Sequence, residues 1–273
     1  MAASGWTVFA GVRKESDGEE LARTVPGDVR PVMLDITDAG HISALVDQLD
    51  QTGLDGLVNN AGVGEGGPIE ALSDQAWRWH FDVNVFGVVN LTRECLPLLR
   101  AAKGRIVNVG SIGGRIAVPM MGPYSAGKHA VEAISESLRF EMAEFGVKVA
   151  CVEPGSVATA IWTKADDQLA RVSTSLDEEM VRRYEGLLDM LFGFVADGAK
   201  RGIPPSRVAD CVHHALTSDR PKHRYLVGPD AKVVGVISRL PDPIRYRLLA
   251  LNIANLSRIG REIRSHQPTP QSG

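Results

Sequence analysis

Tyr124 and Lys128 stand four residues apart at the start of a strong helical pattern, in Tyr124-Ser125-Ala126-Gly127-Lys128. At that spacing a phenol and an ammonium lie on one helical face and can share a site. A phenol with a pKa of about 10 is a poor base at neutral pH, and a nearby ammonium favours phenolate and lowers it. A tyrosine so tuned can give or take a proton at an alcohol or carbonyl oxygen. Taken alone, the pair is a weak signal, and a surface aromatic beside a salt-bridging lysine is the more usual reading. It is accompanied. Asn59-Asn60-Ala61-Gly62 offers small polar residues where backbone can approach a ligand closely. Asn84 lies in Asn84-Val85-Phe86-Gly87, a hydroxyl follows Val109-Gly110 at Ser111, and Pro154-Gly155-Ser156-Val157-Ala158-Thr159 comes later.

These residues need elements to hold them. Trp6 to Gly11, Val29 to Leu34, Leu54 to Asn59, Arg105 to Val109, Val147 to Val152 and Arg224 to Val227 are short β-branched runs that predict strands. Helical periodicity fills about 38–51, 73–100, 122–145, 176–199 and 206–218 between them. Alternation of this kind predicts an α/β fold: a doubly wound, mostly parallel, Rossmann-type sheet with helices on both faces. Ligands then bind in the crevice beyond the carboxyl ends of the strands. Asn59 to Gly62, Ser111 and Pro154 all stand at such ends. After Val227 two further helical stretches are expected, broken at Pro241-Asp242-Pro243. The expected organisation is one domain over 1–260, with a substrate lid at 156–204, a helical extension at 229–260 and a disordered polar tail at 261–273.

In their order along the chain, Asn59-Asn60-Ala61-Gly62, Asn84, Ser111, Tyr124-x-x-x-Lys128 and Pro154-Gly155-x-Val157-x-Thr159 resemble the short-chain dehydrogenase/reductase family. The resemblance covers nearly the whole chain. It implies Tyr124 as general acid/base, Ser111 polarising the substrate oxygen, and Lys128 bonding the nicotinamide ribose while lowering the tyrosine pKa. Asn84 would hold a water that links Lys128 to solvent. Asn59, Ala61 and Gly62 would lie along the cofactor, Pro154, Val157 and Thr159 would contact the nicotinamide, and Asp35 would sit at the adenine. The stretch from Arg224 to Lys232, with the C-terminal extension, resembles the retinol and 17β-hydroxysteroid group of that family.

The chain has 273 residues and a formal net charge of -3, with 44% hydrophobic residues, so a nucleic-acid binder with a basic surface is not expected. Cys95, Cys151 and Cys211 are widely spaced without a CxxC pair, which points to reduced core residues and a cytoplasmic setting, with no metal site expected. No apolar run approaches the ~20 residues of a membrane-spanning helix. Gly62-Val63-Gly64-Glu65-Gly66-Gly67 matches GxGxxG, but Pro68 to Leu72 separates it from the next helix, whose expected cap is Ser73 or Asp74. Neither Ser111 nor Ser125 has the GxSxG context of a hydrolase elbow.

Arg13 and Lys14 follow the first strand, where arginine accommodates a 2′-phosphate, so NADP is favoured over NAD. Ile161, Trp162, Leu169, Leu187, Leu188, Met190, Leu191, Phe192 and Phe194 make the lid apolar, which suits a lipophilic alcohol or ketone of retinoid, steroid or lipid type. Equally, they would simply cover the sheet. Arg239, Arg245, Arg247, Arg258, Arg261 and Arg264 interleave with Leu and Ile in the extension, which admits peripheral contact with an anionic membrane, or surface arginines beside a packed helix. The resemblance further implies a homodimer or homotetramer through the helices at 73–100 and 122–145. The alternative to an enzyme is a catalytically silent dinucleotide-fold binding or scaffold protein.

A last expectation concerns the start. The family's fold opens with a strand, a TGxxxGxG turn and a helix, whereas Ala2-Ala3-Ser4-Gly5-Trp6 reads as the end of that helix followed by the second strand. The first strand is central in the order 3-2-1-4-5-6, so its loss leaves two neighbours with unpaired backbone. The sequence thus predicts that the functional protein carries an N-terminal extension, and that the chain as written binds dinucleotide poorly. An inactive product with the gap closed is the other outcome.

Overall fold

All six expected strands form: β1 Val8–Val12, β2 Val29–Met33, β3 Gly56–Asn59, β4 Arg105–Val109, β5 Lys148–Pro154 and β6 Arg224–Val227. The structure is a computed structural model describing residues 1–159 and 176–265. Every strand pairing in it is parallel. The helices are α1 Glu15–Thr24, α2 Ala39–Leu49, α3 Asp74–Phe81, α4 Val88–Ala102, α5 Gly122–Ala143, α6 Glu178–Arg201, α7 Pro205–Thr217, α8 Pro229–Ile237 and α9 Asp242–Arg264. Local chemistry sets several starts. Asp38, Ser73 and Asp177 accept backbone N–H groups as N-caps of α2, α3 and α6. Ser73 is one of the two caps expected.

The helix α1 was not expected, because Glu15-Ser16-Asp17-Gly18-Glu19-Glu20 carries no apolar stripe. Packing stabilises it: Gly18 lies so close to β2 that a Cβ there would sit 2.8 Å from Pro31 Cβ. The last helix, α9, continues through Arg264, into the stretch expected as tail. The lid residues Ile161, Trp162 and Leu169 lie outside the described residues, as does the end of the tail. Among the described residues, no helix is long and apolar enough to cross a membrane.

The sheet is divided. Among the described residues β1 pairs only with β2, and β3-β4-β5-β6 form a separate four-stranded sheet. Val8 N–H donates to Asp28 O and Leu34 N–H donates to Val12 O, each at 2.9 Å. Alternate residues Val8, Ala10 and Val12 therefore face β2, and Phe9 and Gly11 turn their peptide groups the other way. By the same alternation, Asp55 O accepts from Arg105 N–H at 2.9 Å, so Gly56 and Val58 face away from β4. Those two edges are unpaired among the described residues, and Gly11 and Val58 are exposed. The gap expected between the first two strands and the rest is present, and the flanking strands do not close it.

Side chains bridge what backbone does not. One cluster joins Val32 of β2, Leu57 of β3, Ile106 and Val149 to Ile42, Leu45 and Leu49 of α2 and Leu91, Cys95 and Leu99 of α4. On the opposite face Val107, Ala150, Val152, Tyr225 and Val227 pack against Ala215 and Leu216 of α7. A third cluster holds Met120 against Leu188, Met190, Leu191 and Val195 of α6 and Leu256 of α9.

Candidate active site

Three strand ends and one helix start converge. β4 leads through Gly110 to Ser111, whose hydroxyl caps a short 3-10 turn, Ile112–Gly114, by accepting from Gly113 N–H at 3.1 Å. Tyr124 lies in the first turn of α5, after Pro123 has fixed the helix start. Glycines flank its ring: a Cβ on Gly113 would lie 3.1 Å from Tyr124 Cε1, and one on Gly64 would lie 3.1 Å from Cδ2. Only residues without side chains leave that slot open. Ser111 lies beside the phenol: a Cβ on Gly113 would lie 3.5 Å from Ser111 Oγ as well as 3.1 Å from the tyrosine ring.

One turn further along α5, Lys128 is buried and its Nζ donates to Val109 O at 2.9 Å. Burial lowers its pKa to about 8, against the opposing influence of Cys151 and Glu132. Burial raises the Tyr124 pKa, and the neighbouring Ser111 partly counters that. The ammonium stands 5.9 Å from the tyrosine ring centroid and is directed at a carbonyl. Ser111 is thus one neighbour that opposes the rise caused by burial.

Asn84 sits in a π-helical segment, Asp82–Gly87, between α3 and α4. Its Oδ1 accepts from Val63 N–H at 2.9 Å and its Nδ2 donates to Val63 O at 2.8 Å. The carboxamide therefore holds the loop after β3 directly. A Cβ on Gly62 would lie 3.3 Å from Asn84 Oδ1 and 3.5 Å from Lys128 Nζ, so all three residues converge. Asn59 points into the core, where its Nδ2 donates to Thr92 Oγ1 at 2.9 Å and to Asn108 Oδ1 at 2.8 Å. Its buried Oδ1 has no partner. Ala61 is exposed on the same loop.

The other expected residues lie at neighbouring strand ends. Asp35 follows β2, and its Oδ1 accepts from Thr37 N–H at 2.9 Å and from Thr37 Oγ1 at 2.6 Å. Those bonds, with the charge of Arg13, hold its carboxyl below the usual range. Pro154 ends β5, Val157 bridges to Ile203, and Thr159 Oγ1 donates to Val157 O at 3.5 Å.

Two positioning groups escaped the sequence reading. His80 is fully buried; its Nε2 accepts from Glu65 N–H at 2.8 Å while Nδ1 meets Ala76 O at 2.8 Å. Both bonds form when the ring proton is on Nδ1. Asp230, at the start of α8, accepts from Ser156 N–H at 2.7 Å, and a Cβ on Gly155 would overlap its carboxylate. An acid just after Gly228-Pro229 at a helix start was a usable signal for Asp230. A lone histidine within a helical pattern gave none for His80.

The residues fit a dinucleotide at its reactive end. Gly62 leaves an open cradle beside two polar groups, and the buried Lys128 carries more N–H donors than Val109 O engages. The comparisons agree. A family model described as short chain dehydrogenase matches residues 1–170. Retinol dehydrogenase 16 of Rattus norvegicus is 38% identical over 237 residues, covering 84% of this chain and 74% of the relative. The 17-beta-hydroxysteroid dehydrogenase type 6 of Bos taurus is 37% identical over 258 residues, covering 90% and 80%. The crystal structure of a short chain dehydrogenase from Burkholderia cenocepacia in complex with NADP superimposes with a TM-score of 0.65 at 28% identity, covering 89% of this chain and 86% of that one. With Ser111, Tyr124 and Lys128 gathered at one crevice of a parallel α/β fold, the chain belongs to the short-chain dehydrogenase/reductase family, in its retinol and hydroxysteroid group, and is an oxidoreductase acting on CH-OH groups.

Proposed function

We propose that the chain interconverts a lipophilic alcohol and its carbonyl, using NADP in preference to NAD, with Tyr124 as general acid/base. The placing of Ser111 beside the Tyr124 ring, next to buried Lys128, carries this reading. A nicotinamide dinucleotide, when bound, supplies or accepts the hydride. The chain's part is to hold the reacting oxygen and to move one proton. Ser111 donates to the carbonyl oxygen and fixes it against Tyr124. Burial keeps the phenol protonated at neutral pH, ready to donate to a carbonyl oxygen. In the opposite direction Tyr124 takes the alcohol proton, with Lys128 stabilising the phenolate.

Apolar surroundings support a lipophilic substrate. The loop after β3 rests on them: a Cβ on Gly66 would lie 3.1 Å from Met121 Sδ and 3.4 Å from Leu191 Cδ2. Two of the relatives are named for retinol and for a hydroxysteroid. Arg13, close enough to Asp35 to lower its pKa, supports NADP. Exposed Phe86 (56%) and Phe140 (73%) near and on the helices expected to pair support a homodimer or homotetramer, which light scattering would reveal as a multiple of 29.4 kDa. A second reading, a catalytically silent binding protein, is favoured by one observation: the unpaired edges of β1 and β3.

Purified protein assayed against lipophilic and polar alcohols and ketones, with reduced nicotinamide followed by absorbance, separates the two. Tyr124→Phe is expected to lose turnover about a hundredfold or more while keeping most dinucleotide affinity. Normal turnover in that variant removes Tyr124 from its role.

A further inference from the structure

Behind the crevice lies a set of charged groups that the chemistry above does not use. Glu153, on β5 immediately before Pro154, is fully buried. Arg115 reaches it with two bonds, Nη2 donating to Oε1 at 2.9 Å and Nε to Oε2. Arg115 directly follows the 3-10 turn that Ser111 caps. Glu132, one turn beyond Lys128 on α5, accepts from Cys151 Sγ at 3.0 Å and from Arg224 Nε at 3.1 Å. Arg224 Nε also stands 3.5 Å from Glu153 Oε1.

The loop carrying Ser111 is pressed against this set at both ends. A Cβ on Gly110 would lie 2.9 Å from Cys151 Sγ and 3.0 Å from Glu132 Oε1. One on Gly114 would lie 2.7 Å from Lys128 O and 3.3 Å from Glu132 Cγ. Gly110 and Gly114 bracket Ser111, so the serine hangs from a turn held by α5 on one side and the Arg115–Glu153 pair on the other. Glu132, Cys151 and Glu153 place ligand atoms within 4.8 Å of one another, which raises a metal site. Both carboxylates are already bonded to arginine, and burial pushes the Cys151 thiol up so that it stays protonated and donates. The cluster therefore reads as internal neutralisation.

We propose that Arg115 and Glu153 are positioning residues for the reaction, their buried two-point pair fixing the Ser111 turn so that the serine hydroxyl meets Tyr124. This rests on the roles proposed above for Ser111 and Tyr124. An arginine suits the task because its planar fork meets a carboxylate at two points and so fixes direction as well as distance. Arg224 supplies the second cation that lets Glu132 and Glu153 lie close together.

The test uses the full chain with Glu153→Gln, Arg115→Lys and Ser111→Ala, and the doubles that add Ser111→Ala to each of the first two. Turnover in Glu153→Gln is expected to fall about 10- to 100-fold, as a displaced catalytic group would. Adding Ser111→Ala to it should cost nothing further, because two residues acting through one contact are not additive. A readout without cofactor accompanies the kinetics. Tyrosinate absorbance, with the Tyr124→Phe signal subtracted, should show Tyr124 titrating higher in Glu153→Gln by the same amount as in Ser111→Ala. Losses that multiply in the double variant, or a Tyr124 titration that Glu153→Gln leaves unmoved, overturn the proposal. Where Glu153→Gln does not fold, Arg115→Lys carries both readouts with the charge kept. Normal turnover in Tyr124→Phe would instead overturn the proposed function, while the titration still decides the positioning role.

Discussion

The carboxamide of Asn84 closes on Val63 from both sides, accepting its N–H at 2.9 Å and donating to its C=O at 2.8 Å. A carboxylate would lack the donor and a leucine would lack both. The loop that passes Tyr124 thus hangs from a π-helical turn, a distortion that frequently marks functional sites.

Asn84→Asp is expected to keep the bond from Val63 N–H and lose the one to its carbonyl, and Asn84→Ala to lose both. Each should destabilise the protein by about 1–3 kcal/mol, the alanine variant more. Limited proteolysis within 62–67 should quicken in the same order. Equal rates for wild type and Asn84→Ala would show that the loop is held elsewhere.

The slot around Tyr124 admits no extra carbon without movement. Gly113→Ala places a methyl 3.1 Å from the ring edge and 3.5 Å from Ser111 Oγ. The ring must shift by a few tenths of an ångström, and turnover should drop roughly tenfold while dinucleotide affinity stays. Steady-state kinetics beside a binding titration checks this; an affinity loss with unchanged turnover contradicts it.

Lys128 gives a pH signature. Its pKa falls from 10.5 in the unfolded chain to about 8 when folded, so between those values the unfolded state binds the extra proton. Stability from this group is therefore fully present above pH 10.5 and is lost as pH falls through about 8. Measured as a difference from Lys128→Met, wild type should gain up to about 3 kcal/mol across that window. Denaturant midpoints at several pH values report it, and a flat difference would contradict it. The methionine variant should be the more stable one at pH 7 and inactive, a trade of stability for function.

Arg13→Glu tests the cofactor preference. A carboxylate would repel a 2′-phosphate and accept a ribose hydroxyl, so the ratio of NADP to NAD affinity should fall roughly tenfold or more. Fluorescence titration with both dinucleotides measures it; an unchanged ratio places the phosphate away from Arg13.

Sequence reading reached the parts of this molecule that depend on near neighbours. β-branched runs marked all six strands, and spacing placed Tyr124 and Lys128 on one face of α5. Parallel topology then brought Ser111 to them, because all three strand ends open on the same edge. What stayed hidden depends on distant partners. The helix α1 exists because Gly18 fits against Pro31, a contact without periodicity. His80 is committed to Glu65 N–H, and Arg115 to Glu153 across 38 residues. The burial that raises the tyrosine pKa likewise comes from tertiary packing, which spacing along one helix does not give.

The divided sheet governs how the molecule comes apart. Among the described residues β1, α1 and β2 share no backbone ladder with β3-β4-β5-β6, and the two parts are joined through side chains such as Val32, Leu45 and Leu57. Among the described residues mainly apolar contacts couple them, so the smaller part can open while the larger remains intact, as a separate cooperative unit. Amide protons of β1 and β2 would then exchange on a faster tier than those of β4 and β5, and melting would depart from a single two-state transition. Each such opening frees a second set of peptide groups at the β2 side of β1, beside edges already open to pairing with another chain.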